Sequence, residues 1–194
     1  FFSAVEPPSH SQERPTHRDE WIEVVTTYET PAGPLTTGHL RNIHGKPGYR
    51  SKHMIESKDD WRKLMSVPYE PIRGDCSGYA QAVADMGDDG IVMIGTGSHP
   101  LYNVNQHIGS ELFAIWSIEE RDFIREMLDE MLRRQMDYLR WIISQGVRGV
   151  FSYVGPELSI PPLQSPRDFR EFVVQYDRQF IQLLHDAGCW VWCH

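Results

Sequence analysis

The sequence has no apolar run near the roughly 20 residues that a membrane-spanning helix needs, so we expect no membrane association. It has only 3 cysteines, an odd number that does not make a disulfide framework, which favours a reducing, cytoplasmic setting. It also has no excess of positive charge. The net charge of −8 disfavours nucleic acid and anionic membranes as main partners. What is present, 40% hydrophobic and 24% charged residues, suits a soluble globular protein.

The start of the chain lacks an initiator methionine, and its apolar stretch is too short for a signal peptide. Residues 1–20 are polar and contain proline, so we expect an extended lead-in before a domain over 21–194. The chain stops on the strand-like run "CWVWCH". Together these features predict a piece of a longer chain, cut at both ends.

A glycine-rich phosphate loop is missing as well. "GTGSHP" has two glycines but not the third, and Pro100 has no N–H to donate, so a dinucleotide fold is disfavoured. Instead, "GIVMIG", "VRGVFSYV" and "CWVWCH" are predicted strands, separated by helical patterns over 118–145 and 166–187. This order is typical of parallel βαβ units. A doubly wound sheet and a (β/α)8 barrel fit the pattern equally.

Two further segments have clear local patterns. "WIEVVTTYET" and "LTTGHL" flank "PAGP", which predicts a β-hairpin. Two capping patterns predict helix starts, one from Ser117 to Glu120 and one from Ser165 to Asp168. Residues 96–109 between the first strand and the first of these caps are predicted to be a loop.

Sites in parallel α/β folds lie at the carboxyl ends of the strands, which selects a few candidate residues here. His99 is either catalytic or an ordinary loop residue, with His107 a weaker candidate in the same predicted loop. Tyr153 and Glu157 follow the second strand, and Glu157 is either a general base or a turn cap. His194 ends the third strand and is either a site residue or a satisfied histidine. Strand alternation places it on the face of Trp190 and Trp192, away from Cys189 and Cys193, which argues against a Cys–His zinc cluster.

The segment "GPELSIPPLQSPRDFREFVVQYDRQFIQLLHDAGCWVWCH" resembles the middle of the uroporphyrinogen decarboxylase superfamily, which includes cobalamin-dependent methyltransferases. The pattern consists of Ser165-Pro166, a run of spaced aromatic and apolar residues, His185, Gly188 and a strand that ends in His194. Upstream, "YETPAGPLTTGHL" and "MIESKDDWRKL" are similar to divergent branches of the same group. The resemblance covers roughly residues 21–194.

The resemblance implies a partial (β/α)8 barrel with an N-terminal β-hairpin insertion, truncated at both ends. It implies an enzyme whose nominal activity is uroporphyrinogen decarboxylation in tetrapyrrole biosynthesis, with a small-molecule substrate and no cofactor. His99, Tyr153 and Glu157 are the catalytic candidates that the position at the strand ends selects. The methyltransferase branch is the alternative. There a histidine at the position of His194 is the first zinc ligand, and a corrinoid protein is the partner. A non-catalytic scaffold is the third possibility.

Overall fold

The computed structural model describes residues 3–194, which form two compact units. One unit contains residues 5–70 and 106–112, and the other contains residues 3–4, 71–105 and 113–194. Each unit is built around its own β-sheet.

The first unit is a four-stranded antiparallel sheet. Its strands are β1 (Ser9–Pro15), β2 (Trp21–Tyr28), β3 (Leu35–Asn42) and β4 (Tyr49–Lys52), paired in chain order. The predicted hairpin is the pair β2–β3, where β-branched residues favour the extended backbone and the intervening proline and glycine favour the turn. Helix α1 (Lys58–Met65) follows. Ser57 caps it by accepting a hydrogen bond from the Asp60 amide at 3.2 Å.

The second unit alternates helices with parallel strands. Its elements are α2 (Ser77–Met86), β5 (Met93–Ser98), α3 (Pro100–Glu119, interrupted at Gly109, where φ is +79°, with residues 106–112 belonging to the first unit), α4 (Arg121–Ser144), β6 (Val150–Val154), a 3-10 turn (Pro156–Ser159), α5 (Pro166–Phe169), a π-helical turn (Arg170–Val174), α6 (Gln175–Asp186) and β7 (Trp190–Cys193). The strands β5, β6 and β7 pair in that order, all parallel. The predicted parallel βαβ arrangement is therefore present.

The predicted partial (β/α)8 barrel is wrong. Within residues 3–194 the parallel strands form an open three-stranded sheet with no barrel closure, and the other strands form a separate antiparallel sheet. The reason is that a βαβ pattern determines strand direction and handedness but not whether a sheet closes. The hairpin is also more than an insertion, because residues 9–15 and 49–52 extend it on both sides.

The core of the second unit lies between the parallel sheet and its helices. Helix α4 buries the apolar side chains that its period predicts: Ile124, Met127, Leu128, Met131, Leu139 and Ile142. From the sheet, Phe151 and Tyr153 are buried because alternate residues of β6 face the helices. Helix α6 contributes the buried Phe180 and Leu184.

The predicted loop over 96–109 is mostly helix, because α3 begins at Pro100. Proline is favoured at the first helical position, where its missing N–H is not needed. The predicted cap at Ser117 is also wrong, since its hydroxyl donates to the Ala114 carbonyl at 2.8 Å inside α3. The capping box at Ser165 is confirmed, with Asp168 bonding back to it.

Candidate functional site

Three of the five sequence candidates meet at the carboxyl ends of the parallel strands. The His99 amide donates to the Val154 carbonyl at 2.8 Å, which ties the end of β5 to the end of β6. The His194 amide donates to the Tyr153 carbonyl at 3.0 Å, which ties the end of β7 to β6. The rings of His99 and Tyr153 lie 6.3 Å apart. Parallel pairing therefore brings together residues that are up to 95 positions apart in the sequence.

His99 is fully buried and caps helix α3. Its Nδ1 accepts a hydrogen bond from the Leu101 amide at 2.9 Å, so the neutral ring carries its proton on Nε2. Burial lowers the pKa of His99 to about 3, partly opposed by the carbonyl of Val173. Among the residues that the structure describes, Nε2 makes no hydrogen bond of normal distance and angle. His99 is thus a neutral ring at physiological pH, held by its backbone neighbours on one side and unsatisfied on the other.

Asp177 of α6 is the functional candidate that the sequence reading missed. Its Oδ1 lies 3.4 Å from His99 Nε2, and within residues 3–194 neither atom makes a hydrogen bond of normal geometry. Burial raises the pKa of this carboxyl to about 6, and the Tyr153 hydroxyl opposes the shift. The sequence contains a pattern that could have identified Asp177. Position 177 falls four residues after Val173 and three before Phe180, which places a carboxylate on the apolar face of the helix.

Tyr153 joins the strand to this carboxylate. Burial is the main cause that raises the pKa of the phenol, and the side chains of Cys193 and Asp177 raise it further. The hydroxyl therefore stays protonated at neutral pH and is available as a donor. Phe180 packs edge-on against the ring at 4.9 Å and fixes its position. We call His99, Tyr153 and Asp177 the covered cluster, because all three lie between the sheet and helix α6.

Glu157 is near the strand ends but has a local structural role. Its Oε2 accepts a hydrogen bond from the Gly155 amide at 2.9 Å, which closes the turn that follows β6. The turn is tight because Gly155 has φ +115° and packs against Tyr102, where an added Cβ would lie 2.4 Å from the Tyr102 Cβ. The carboxylate itself is exposed. The turn-cap interpretation of Glu157 thus accounts for its contact, while its exposed side remains accessible to a ligand.

The other face of the parallel sheet is open. The register pairs Val150 with Trp190 and Ser152 with Trp192, so these side chains share one face. Trp190 is 73% exposed and Trp192 is 48% exposed. The His194 ring lies 5.7 Å from the Trp192 ring, on the face that strand alternation predicts. We call Ser152, Trp190, Trp192 and His194 the open face.

His107 does not belong to this arrangement. It lies in the unit of the antiparallel sheet, where its carbonyl accepts a hydrogen bond from the Ile55 amide at 3.1 Å. Burial lowers the pKa of His107 to about 4, and the positive charge of Arg50 acts in the same direction. Its surroundings therefore keep it neutral.

Comparisons with known proteins identify neither a family nor a function for this chain. No family model, curated protein or solved structure matches the chain. Across residues 3–194, no helix is both long enough and apolar enough to pass through a bilayer. In the same residues, no three histidine, cysteine or acidic side chains are grouped to hold a metal ion. His194 as a zinc ligand thus stays a prediction, and the geometry of the strand ends is the basis for any functional conclusion.

Proposed function

We propose that this chain carries the site of an enzyme that removes the carboxyl group of a small organic acid, the reaction class that the sequence resemblance implies. The observation that supports it best is the convergence of His194, Tyr153 and His99 at the carboxyl ends of β5 to β7. Ligands in open parallel sheets bind outside these ends.

The open face would hold the substrate and supply the proton. When the bond to the departing carbon dioxide breaks, its electron pair stays on the substrate carbon, which then takes up a proton. His194 is the exposed acid at this edge, and the imidazolium form donates that proton. Trp192 offers an indole surface beside it, which suits a flat, apolar substrate body.

The charges of the site favour a substrate with few carboxylates. The four residues that define the open face include no lysine or arginine, and the chain has a net charge of −8. A tetrapyrrole with many acidic side chains would need several cations in contact with it. A simple aromatic or unsaturated acid with one or two carboxylates is therefore a better substrate class for this member than uroporphyrinogen.

The residues of the covered cluster would affect the reaction by holding the strand ends in place. Tyr153 presents its side chain to Asp177 while its carbonyl holds the His194 amide at 3.0 Å. His99 holds the neighbouring strand end through its own amide. Neither ring of the cluster lies on the open face, so we assign His99, Tyr153 and Asp177 as positioning residues.

The test uses the whole chain and a panel of probes: uroporphyrinogen, 4-hydroxybenzoate and 4-hydroxyphenylacetate. Carbon dioxide release and quenching of tryptophan fluorescence are measured. We expect one of the simple acids to react, and His194→Ala to lower its kcat by about 100-fold or more. His185→Ala, an exposed histidine at the end of α6, is the matched control and should change nothing. A chain that neither binds nor decarboxylates any probe would favour the scaffold alternative.

Zinc-dependent methyl transfer is the second candidate. One observation favours it, namely that the free thiol of Cys193 is exposed beside His194. The thiol and the imidazole leave the strand on opposite faces, which is unfavourable for joint coordination. Metal analysis of the purified chain separates the two proposals. Near-stoichiometric zinc that is lost in His194→Ala would support methyl transfer with a corrinoid partner, and its absence would support the decarboxylase.

A further inference from the structure

A cavity lies in the antiparallel unit, which contains none of the residues of the proposed reaction. Its volume is about 430 Å³, within the range of small-molecule sites. Its lining includes Thr16, Arg18, Trp21, Glu23, Leu40 and Tyr49. We call it the β1–β2 pocket, because the loop between these strands forms one wall.

The floor of the β1–β2 pocket is one face of the sheet. Trp21 and Glu23 are two positions apart on β2 and share a face. Glu23 pairs with Leu40 of β3, and Leu40 pairs with Tyr49 of β4, so all four side chains belong to the same face. The sheet register therefore places two aromatic rings, an aliphatic side chain and a carboxylate side by side.

The loop wall is held in place by Thr16. Its Oγ1 accepts a hydrogen bond from the Arg18 amide at 3.1 Å and lies 3.0 Å from the Trp21 carbonyl. The Trp21 amide donates to the Arg18 carbonyl at 2.9 Å, which closes the turn. These bonds involve the backbone of Arg18 and leave its guanidinium available at the rim of the pocket. The wall is thus organised before any ligand arrives.

Glu23 is held in the pocket by a hydroxyl group, and Arg14 of β1 lies directly opposite it in the register of the sheet. Ser51 Oγ donates to Glu23 Oε1 at 2.8 Å. This bond depends on Gly38, because an added Cβ there would lie 2.4 Å from Ser51 Oγ and 3.1 Å from Glu23 Oε1. The carboxylate is therefore oriented by a hydroxyl, and its negative charge is uncompensated by that partner.

The aromatic pair next to the carboxylate completes the recognition surface. The Trp21 and Tyr49 rings are 5.4 Å apart at an interplanar angle of 64°. Tryptophan and tyrosine faces attract organic cations and also pack against apolar ligand groups. Together with Glu23 the two rings form half of an ammonium site, and the Arg18 guanidinium at the rim supplies a permanent positive charge of the kind that binds carboxylates.

We propose that the β1–β2 pocket binds a small zwitterion of the α-amino acid class. The ligand ammonium contacts Glu23 and the Trp21–Tyr49 pair, its carboxylate contacts Arg18, and its apolar side chain covers Leu40. A zwitterion satisfies both protein charges. A purely cationic ligand would meet the repulsion of Arg18, and a purely anionic ligand would meet that of Glu23.

Three probes of one shape test this charge requirement on the unmodified chain. They are L-phenylalanine, which is a zwitterion, L-phenylalaninamide, which carries only the cation, and 3-phenylpropionate, which carries only the anion. Isothermal titration calorimetry gives the Kd of each. We expect L-phenylalanine to bind with a Kd below about 1 mM and at least tenfold more tightly than either analogue. Equal or tighter binding of an analogue, or no binding of any probe, would overturn the proposal.

Two variants then test whether Glu23 contacts the ligand ammonium and Arg18 contacts the ligand carboxylate. Glu23→Gln keeps the shape of the side chain and should weaken L-phenylalanine about tenfold or more, while the discrimination against 3-phenylpropionate disappears. Arg18→Gln should have the reverse effect, with discrimination against L-phenylalaninamide lost. Glu29→Gln and Arg62→Gln change exposed residues outside the pocket and serve as controls. Thermal melts establish folding, and a folded Glu23→Gln protein that binds like the parent would contradict the assignment.

Discussion

Replacement of Asp177 by asparagine tests the covered cluster through the pH dependence of stability. The Asp177 side chain is 19% exposed, and burial raises its pKa from 3.8 to about 6. The unfolded chain ionises this carboxyl near its ordinary value, whereas the folded chain keeps it protonated up to about pH 6. The folded state therefore binds more protons than the unfolded state between these two values.

The sign and the size follow from this difference in bound protons. Where the folded state binds the extra proton, the free energy of unfolding falls as pH rises. The favourable contribution of protonated Asp177 is fully present below pH 3.8 and is lost once pH exceeds about 6. A shift of about two pKa units corresponds to roughly 3 kcal/mol, most of it lost between pH 4 and pH 7.

Asp177→Asn removes this loss because the amide does not ionise. It still offers an oxygen to the Tyr153 hydroxyl, so the local contact is retained in kind. We expect the variant to be close to the parent in stability at pH 4 and more stable by about 2 kcal/mol at pH 8. His99 has the opposite dependence, since its lowered pKa favours folding as pH rises from about 3 to 6.5, and it is present in both proteins.

Urea unfolding at pH 4 to 8, followed by circular dichroism, measures the difference between the two proteins. Asp186→Asn, an exposed position at the end of the same helix, is the control and should show no pH-dependent difference. The reasoning fails if Asp177→Asn differs from the parent by a constant amount across this range. It also fails if the variant becomes relatively less stable as pH rises, since that would mean that the carboxylate is stabilised in the folded state.

Three further substitutions test the packing around the site by the same unfolding measurement. Arg121→Met removes two hydrogen bonds to Glu171, at 2.9 and 2.5 Å, and should lower the free energy of unfolding by about 1–3 kcal/mol. An unchanged free energy of unfolding would show that this ion pair has no net effect on stability. Gly155→Ala should cost at least about 2 kcal/mol, because its φ is +115° and the new Cβ meets Tyr102, whereas a neutral result would show that the turn relaxes. Phe180→Ala should cost about 3–5 kcal/mol, since the ring is fully buried, and a cost below about 1 kcal/mol would contradict that burial.

The local elements of this fold are readable from the sequence where one periodic pattern decides the structure. The apolar face of α4 and the capping box at Ser165 depend on neighbours within a few residues, so their prediction is confirmed. The part of helix α3 that lies within 96–109 was predicted as a loop, because the helix begins after His99, a residue type that rarely signals a cap, and is interrupted at Gly109, where φ is +79°. Its start depends on Pro100 and on a buried imidazole, which the periodic pattern does not report.

The sheet architecture depends on contacts that no local pattern contains. The polar run Ser9–Pro15 pairs along its whole length with β2, although its own residues give little strand signal. Strand formation there follows from the unpaired edge that the hairpin offers, because backbone groups bond regardless of side chain. The same limit applies to the parallel sheet. All three strands were predicted to exist, although β5 begins and ends three residues after the predicted "GIVMIG", while closure into a barrel was a property of the resemblance and not of these residues.

The site shows how a strand can connect two faces with different chemistry. Because side chains alternate along β6, Tyr153 points into the covered cluster and Ser152 lies on the open face. The Tyr153 carbonyl accepts a hydrogen bond from the His194 amide. A change in the protonation of Asp177 acts on the Tyr153 hydroxyl, and the backbone of the same residue holds the proposed acid. Burial raises the pKa of Asp177 to about 6, so this route carries a change of charge at its Asp177 end and reaches His194 only through the backbone of Tyr153. Asp177→Asn removes the charge on this route and leaves the open face intact, so it separates a positioning effect from the chemistry of the exposed imidazole.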